Sequence, residues 1–144
     1  MHAIKAIKTE IIKKLTNVST LNRVYSYERI NPEGFPAAFV TFASNDNEFF
    51  TNAENKRVFG YRVLILTQIG QNRSSVDRVQ AAEEAMEEAV GDVLDALDSD
   101  ITLGDNSQVL YVEAAVGQPG YVEYEGGWAR SAEITIRVHS IYVV

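Results

Sequence analysis

Two adjoining stretches decide the class of this fold. The first is Arg57-Val58-Phe59-Gly60-Tyr61-Arg62-Val63-Leu64-Ile65, continuing to Ile69. The second, after the break Gly70-Gln71-Asn72-Arg73-Ser74-Ser75, runs from Val76 to about Leu97. In the first, Val58, Tyr61, Val63, Ile65 and Thr67 are the β-branched and aromatic residues that fit a pleated surface, so it reads as a strand. In the second, Val76, Val79, Met86, Val90, Val93, Leu94 and Leu97, with Ala82 and Ala89 between them, recur at helical spacing and form one apolar stripe. Ser75 stands at the N-cap position, and Asp77 lies in the first turn, where the helix dipole favours an acid. Gly91 inside this helix costs about 1 kcal/mol relative to alanine, which the sequence explains by close packing on a sheet.

Upstream, Ile4, Ile7, Ile11, Ile12 and Leu15 alternate with lysines at helical spacing, predicting an amphipathic helix over 3–16. Residues 23–30 alternate and read as a strand. Asn31-Pro32-Glu33-Gly34 is a turn, since proline presets one dihedral and glycine tolerates positive φ. Phe35 to Ala43 is a second strand, and Ser44 to Lys56 a polar, Asn-rich loop. Downstream, 109–116, 121–124 and 128–143 are extended. In the last, Ala132, Ile134, Ile136 and Val138 alternate with Glu133, Thr135, Arg137 and His139, as when one face of a sheet is buried and the other wet. Helix, three strands, helix, three strands predicts an α+β fold: a mixed, mostly antiparallel sheet with two helices packed on one face, in a single domain spanning 1–144.

A chain of 144 residues, 46% apolar and 23% charged, has the length and composition of one folded domain. It contains no cysteine, which excludes disulfides and thiolate chemistry. Its longest apolar runs are of about four residues, against the about 20 of a membrane helix. Its N-terminus alternates lysine with apolar residues, with no signal-peptide core, so a start in the cytoplasm is expected. The formal charge of −7 argues against a general nucleic-acid binder. That charge is concentrated: Val76 to Asp98 carries eight acids against Arg78 alone, and the remainder of the chain is balanced. The first thirty residues hold six bases and two acids. The sequence is therefore a charge dipole, able to orient partners during encounter.

Catalytic signatures are absent. His2 and His139 have no metal-spaced partner and read as a terminal and an exposed strand histidine. No phosphate loop or nucleophile elbow occurs. Glu83, Glu84, Glu87 and Glu88 lie on the helix face opposite the apolar stripe, where no burial would tune their pKa values, so they read as a solvated acidic face. No catalytic, metal or cofactor site is expected. Three features point instead to interaction. Phe49-Phe50 sits in a polar loop, either folded back on the core or offered to a partner. Tyr121, Tyr124 and Trp128 lie in a Gly-bounded excursion, either an aromatic hairpin or an interface of the type rich in Tyr and Trp. The chain ends apolar, Ile141-Tyr142-Val143-Val144, as an edge strand from Arg137 onward that pairs with another subunit would.

With these marks the chain resembles the tail terminator, or tail completion, proteins of long-tailed, lambda-type bacteriophages. The marks are an N-terminal amphipathic helix, strands at Val24 and Phe35, the Arg57 to Ile65 strand, a single acidic helix, and a paired-strand finish ending Ile134-Thr135-Ile136-Arg137-Val138. The resemblance is of pattern over nearly the whole chain. It implies a non-enzymatic virion protein, found in the tail and in the host cytoplasm during assembly. Such proteins form a homo-hexameric ring that caps the head-proximal end of the tail tube, stops its polymerisation and joins the tail to the head. The implied partners are further copies of the chain, the tail-tube protein and a head-completion or neck protein. DNA is only cargo in the lumen, and no membrane is involved. A different connector station in the neck, or a small ligand- or partner-binding module outside phages, is the alternative. In a ring, the basic first helix and the acidic helix form one pair of patches that meet head to tail. Phe49, Phe50, Tyr121, Tyr124, Trp128, Arg137 and Tyr142 are the expected contacts between subunits or to the tube. The acidic face either lines the lumen and repels DNA phosphates or faces solvent and maintains solubility.

Overall fold

A computed structural model describes residues 3–29, 31–49, 54–71, 75–100, 102–103 and 109–143. The elements are α1 (Ala3–Thr16), β1 (Arg23–Tyr25), β2 (Ala37–Phe49), β3 (Glu54–Gly70), α2 (Val76–Asp98), β4 (Val109–Tyr124) and β5 (Gly127–Val143). The strands form one five-stranded sheet in the order β1-β2-β3-β5-β4. Only β1 and β2 are parallel; the other neighbours are antiparallel. The fold is α+β, with both helices on one face of the sheet. No helix among the described residues is long and apolar enough to cross a membrane.

The helices are held by the stripes that define them. Ile7, Ile11 and Leu15 of α1 are buried at four-residue spacing. Ala82, Met86, Ala89, Val93 and Leu97 of α2 do the same. Both rows meet Ala38 and Val40 of β2, Tyr61, Val63 and Ile65 of β3, and Ala132, Ile134, Ile136 and Val138 of β5 in one core. Two hydrogen bonds pin helices to sheet: Tyr61 Oη donates to the Ile4 carbonyl at 2.6 Å, and buried Thr67 Oγ1 donates to the Ala82 carbonyl at 2.8 Å. The opposite face of the sheet carries a smaller cluster of Ala37, Phe39, Leu66, Tyr124 and Ala129, edged by Tyr25, Phe35, Leu64 and Val122.

Five local expectations are corrected. Residues 44–49 and 54–56, read as a polar loop, extend β2 and β3 as a paired ladder, Asn45 opposite Phe59 and Phe49 opposite Asn55. Ladder hydrogen bonds need only a partner backbone, so a polar stretch of sequence can still be strand. β1 is three residues long, because it has a partner only along Ala37–Phe39. The pieces 109–116 and 121–124 are one strand, β4, with a register shift between Val116 and Pro119. A bulge on an edge strand accommodates a proline that has no N–H to donate. Val76, assigned to the apolar stripe, is 76% exposed, because it begins the helix ahead of the first turn that meets the sheet. A Cβ on Gly91 would meet nothing within 4 Å, so close packing is not why glycine stands there.

The largest correction concerns the C-terminal strand. β5 is central, paired with β3 from Trp128 to Val143 and with β4 from Gly127 to Ser140. The stretch from Arg137 to Ser140 therefore has both backbone edges occupied and is no free edge for a neighbour's sheet. Strand β4 takes that outer position instead.

Candidate functional site

A concavity lies where α2 passes over edge strand β4. It is an open groove of about 840 Å³ lined by Val76, Val79, Gln80, Glu83, Glu84 and Glu87 of α2, Tyr121 of β4 and Arg130 of β5. Arg130 organises its floor. Its Nε donates to Glu83 Oε2 at 2.6 Å, one Nη donates to the Gly120 carbonyl at 2.9 Å, and its guanidinium lies 5.2 Å from the centre of the Tyr121 ring. The Arg130 side chain is 15% exposed, so this pair is partly desolvated and the guanidinium is held by three partners. Tyr121 remains 51% exposed beside it. The groove thus offers apolar surface from Tyr121 and Val76, walled by the carboxylates of Glu84 and Glu87.

The acids on and just after α2 differ in their surroundings. On the side of α1, Thr20 Oγ1 donates to Asp92 Oδ2 at 2.9 Å, and just beyond the helix Lys14 Nζ donates to Asp100 Oδ2 at 3.0 Å. The two oppositely charged helices therefore already touch within one chain. On the other side, Glu84 and Glu87 look over the groove and Glu88 is exposed to solvent beyond it. Glu84 accepts from Gln80 Nε2 at 3.3 Å.

The remaining expected contact residues are scattered. Tyr124 is buried, its ring 5.1 Å from that of Phe35 and its hydroxyl accepting from Gln68 Nε2 at 3.1 Å. It fills the smaller core. Trp128 is half-buried opposite Glu123 and Gly70. Arg137 is exposed in mid-sheet opposite Glu113. Phe49 ends β2 opposite Asn55, and Tyr142 lies on β5 opposite the same Asn55. Phe50 and Val144 lie outside the described residues. Of the expected aromatics, Tyr121 joins the groove. Arg130 was not singled out from sequence, because nothing local marks an arginine two residues after a tryptophan as an anchor. Only the register Tyr121 opposite Arg130 brings it beneath the tyrosine.

His139, read as exposed, is 6% exposed. The residue opposite it on β4, Tyr111, stacks on the imidazole with centroids 4.1 Å apart. The alternating pattern assigned it to the wet face, but a neighbouring ring covers it. Neither ring nitrogen has a hydrogen bond, and Nε2 stands 3.5 Å from Glu113 Oε1. Burial holds its pKa below the ordinary 6.5; nearby Glu113 opposes that shift, while Lys56 and Arg137 reinforce it. A folded-state pKa below the unfolded value means the unfolded chain binds the proton more readily, so stability is full above about pH 6.5 and declines as pH falls below it. Denaturant midpoints between pH 7.5 and 5 should show this slope, and His139→Phe, which keeps a ring on Tyr111, should flatten it. An unchanged slope in that variant would assign the dependence to other groups. His2 lies outside the described residues.

No family model matches the sequence, and no curated protein matches it. Among solved structures, the fold is similar to that of a chain in the virion of a native gene transfer agent particle. The identity is 13%, the match covers 99% of this chain and 100% of that one, and the TM-score is 0.57. The two chains therefore share a fold from end to end.

Proposed function

We propose that this chain is a structural protein of a tailed-phage-like virion, acting by assembly and not by catalysis. It closes head to tail into a homo-hexameric ring, caps the head-proximal end of the tail tube, stops tube growth and joins the tail to a head-completion protein. The observation that carries the reading is the end-to-end fold likeness to a chain of a gene transfer agent virion. It agrees with the element order that suggested a tail terminator from the sequence. A heterologous ring needs two different patches on opposite sides of one subunit, and a charge-asymmetric molecule with an open groove along one sheet edge supplies one of them. DNA passes through such a ring as cargo, and the net negative charge keeps phosphates from adhering. The protein works in the virion tail and in the host cytoplasm during assembly.

The test is length control. Tail-tube protein of the same particle is allowed to polymerise with and without this chain, and tube lengths are measured by negative-stain electron microscopy. The expected result is short tubes with a ring at one end. Tubes of unchanged length together with a ring that binds the head-completion protein would move the chain to another station in the neck. A monomer that binds neither would overturn the proposal.

A further inference from the structure

Resting on the ring reading, we infer that the groove between α2 and β4 is a socket for the α1–β2 side of a second copy of this chain. The socket has a stated chemistry: an exposed aromatic ring and an exposed valine, Tyr121 and Val76, walled by Glu84 and Glu87. The matching plug lies at the other side of the same sheet. Phe42 on β2 is 42% exposed, an apolar ring left partly in water. It packs edge-on against Tyr61, with centroids 5.7 Å apart, and Tyr61 is bonded to the Ile4 carbonyl in the first turn of α1. Phe42 therefore sits beside the start of the basic helix.

Along α1, Lys5, Thr9 and Lys13 are exposed in one stripe at four-residue spacing. The two lysines are about 12 Å apart along the helix axis. On α2, Glu84 and Glu87 stand about 4.5 Å apart along the axis, with Gln80 one turn before them. An apolar patch bordered on one side by carboxylates thus faces an apolar residue near a basic helix. In the sheet order β1-β2-β3-β5-β4, Phe42 on β2 and Tyr121 on β4 lie toward opposite edges. That is the placement a head-to-tail contact requires, and isologous pairing would leave each patch facing its own charge.

The division of α2 sharpens the assignment. Asp92 and Asp100 are engaged within the chain by Thr20 and Lys14, whereas Glu84 and Glu87 stay exposed beside the apolar surface of Tyr121 and Val76. The sequence suggested a pairing of whole helices. The structure narrows it to the N-terminal half of α2 with Tyr121 on one copy, and the stripe Lys5–Lys13 with Phe42 on the next.

The experiment is a charge exchange between copies. One variant carries Glu84→Lys and Glu87→Lys; the other carries Lys5→Glu and Lys13→Glu. Glu83 is left intact because it holds Arg130. Circular-dichroism melting within a few degrees of wild type establishes that each variant is folded. Sedimentation velocity, with tube ends added where the wild type needs them, reads the assembly state. Each variant alone is expected to associate at least tenfold more weakly than wild type, since every contact opposes like charges. An equimolar mixture is expected to recover rings, because alternating copies match socket to plug all the way round. Phe42→Ala with Tyr121→Ala should weaken association without the salt dependence that the charge variants alter. Wild-type rings with folded variants that assemble unchanged, or a mixture that stays dissociated, would overturn the socket and leave the ring reading standing. A wild type monomeric even at tube ends would overturn both.

Discussion

Gly127→Ala is expected to lose about 4 kcal/mol of stability, combining strain at an unfavourable dihedral with a collision of comparable cost. Two independent facts combine at this position. Gly127 has φ +128°, a conformation that L side chains rarely adopt. A Cβ built there would also lie 2.4 Å from the carbonyl carbon and oxygen of Gly70 and 2.7 Å from the amide nitrogen of Gln71. These are backbone atoms, which no rotamer change can move aside. Gly70, itself at φ +101°, ends β3 where β5 begins, and Trp128 is its partner. The close approach therefore clamps the β4–β5 turn to the end of the central ladder, next to the loop that leads into α2. Total stabilities of about 5–15 kcal/mol make this a large fraction, and a melting temperature lower by about 12 °C follows for a chain of this size. Urea denaturation of Gly127→Ala beside Gly120→Ala checks it. A Cβ on Gly120 meets only the Ser131 hydroxyl at 3.3 Å, so that variant should stay close to wild type. Equal losses in the two would sink the argument.

Ile134→Ala is expected to cost about 3–4 kcal/mol, in the range measured for emptying a large aliphatic side chain from a packed core. Ile134 has no exposed surface and lies in the core that joins the sheet to both helices. It belongs to central strand β5, opposite Val63 on one side and Val116 on the other. Paired backbone on both sides restrains the strand, so the site collapses poorly and the void persists. Val116→Ala on the edge strand is the contrast: Val116 is 52% exposed, and its truncation should change stability by less than about 0.5 kcal/mol. Denaturant titrations that place both variants within error of each other would show that β5 is not the rigid centre described here.

Much of the fold was legible because its signals are local. The stripe Ile7, Ile11, Leu15 and the longer one through Met86, Val93 and Leu97 carry their period in sequence. The alternation through Ala132, Ile134, Ile136 and Val138 identified the buried face of β5. Where neighbours intervene, the local signal failed. The segment after Ala43 looks like a loop because its residues are polar, yet a partner ladder carries it to Phe49. His139 alternates as though wet, yet Tyr111 from another strand covers it. Three residues of the acidic face, Glu83, Glu84 and Glu87, meet the expected contact residue Tyr121 in one groove, whereas Tyr124 serves the smaller core. The anchor Arg130 carried no local mark at all.

The sequence alone determined the two helices and the runs of strands between and after them, though it divided β4 in two, together with the amphipathic face of each helix and a charge dipole with its acids on α2. These depend on spacings of a few residues, which backbone geometry converts directly into faces. The tertiary structure decided which strands are central and which form the edges. That choice rests on pairings such as Gly60 with Arg137 and Tyr121 with Arg130, in which register is set by neighbours and turns and not by the period of either strand. By placing β5 inside and β4 outside, it closed the edge expected at the C-terminus and opened the groove beside the acidic helix.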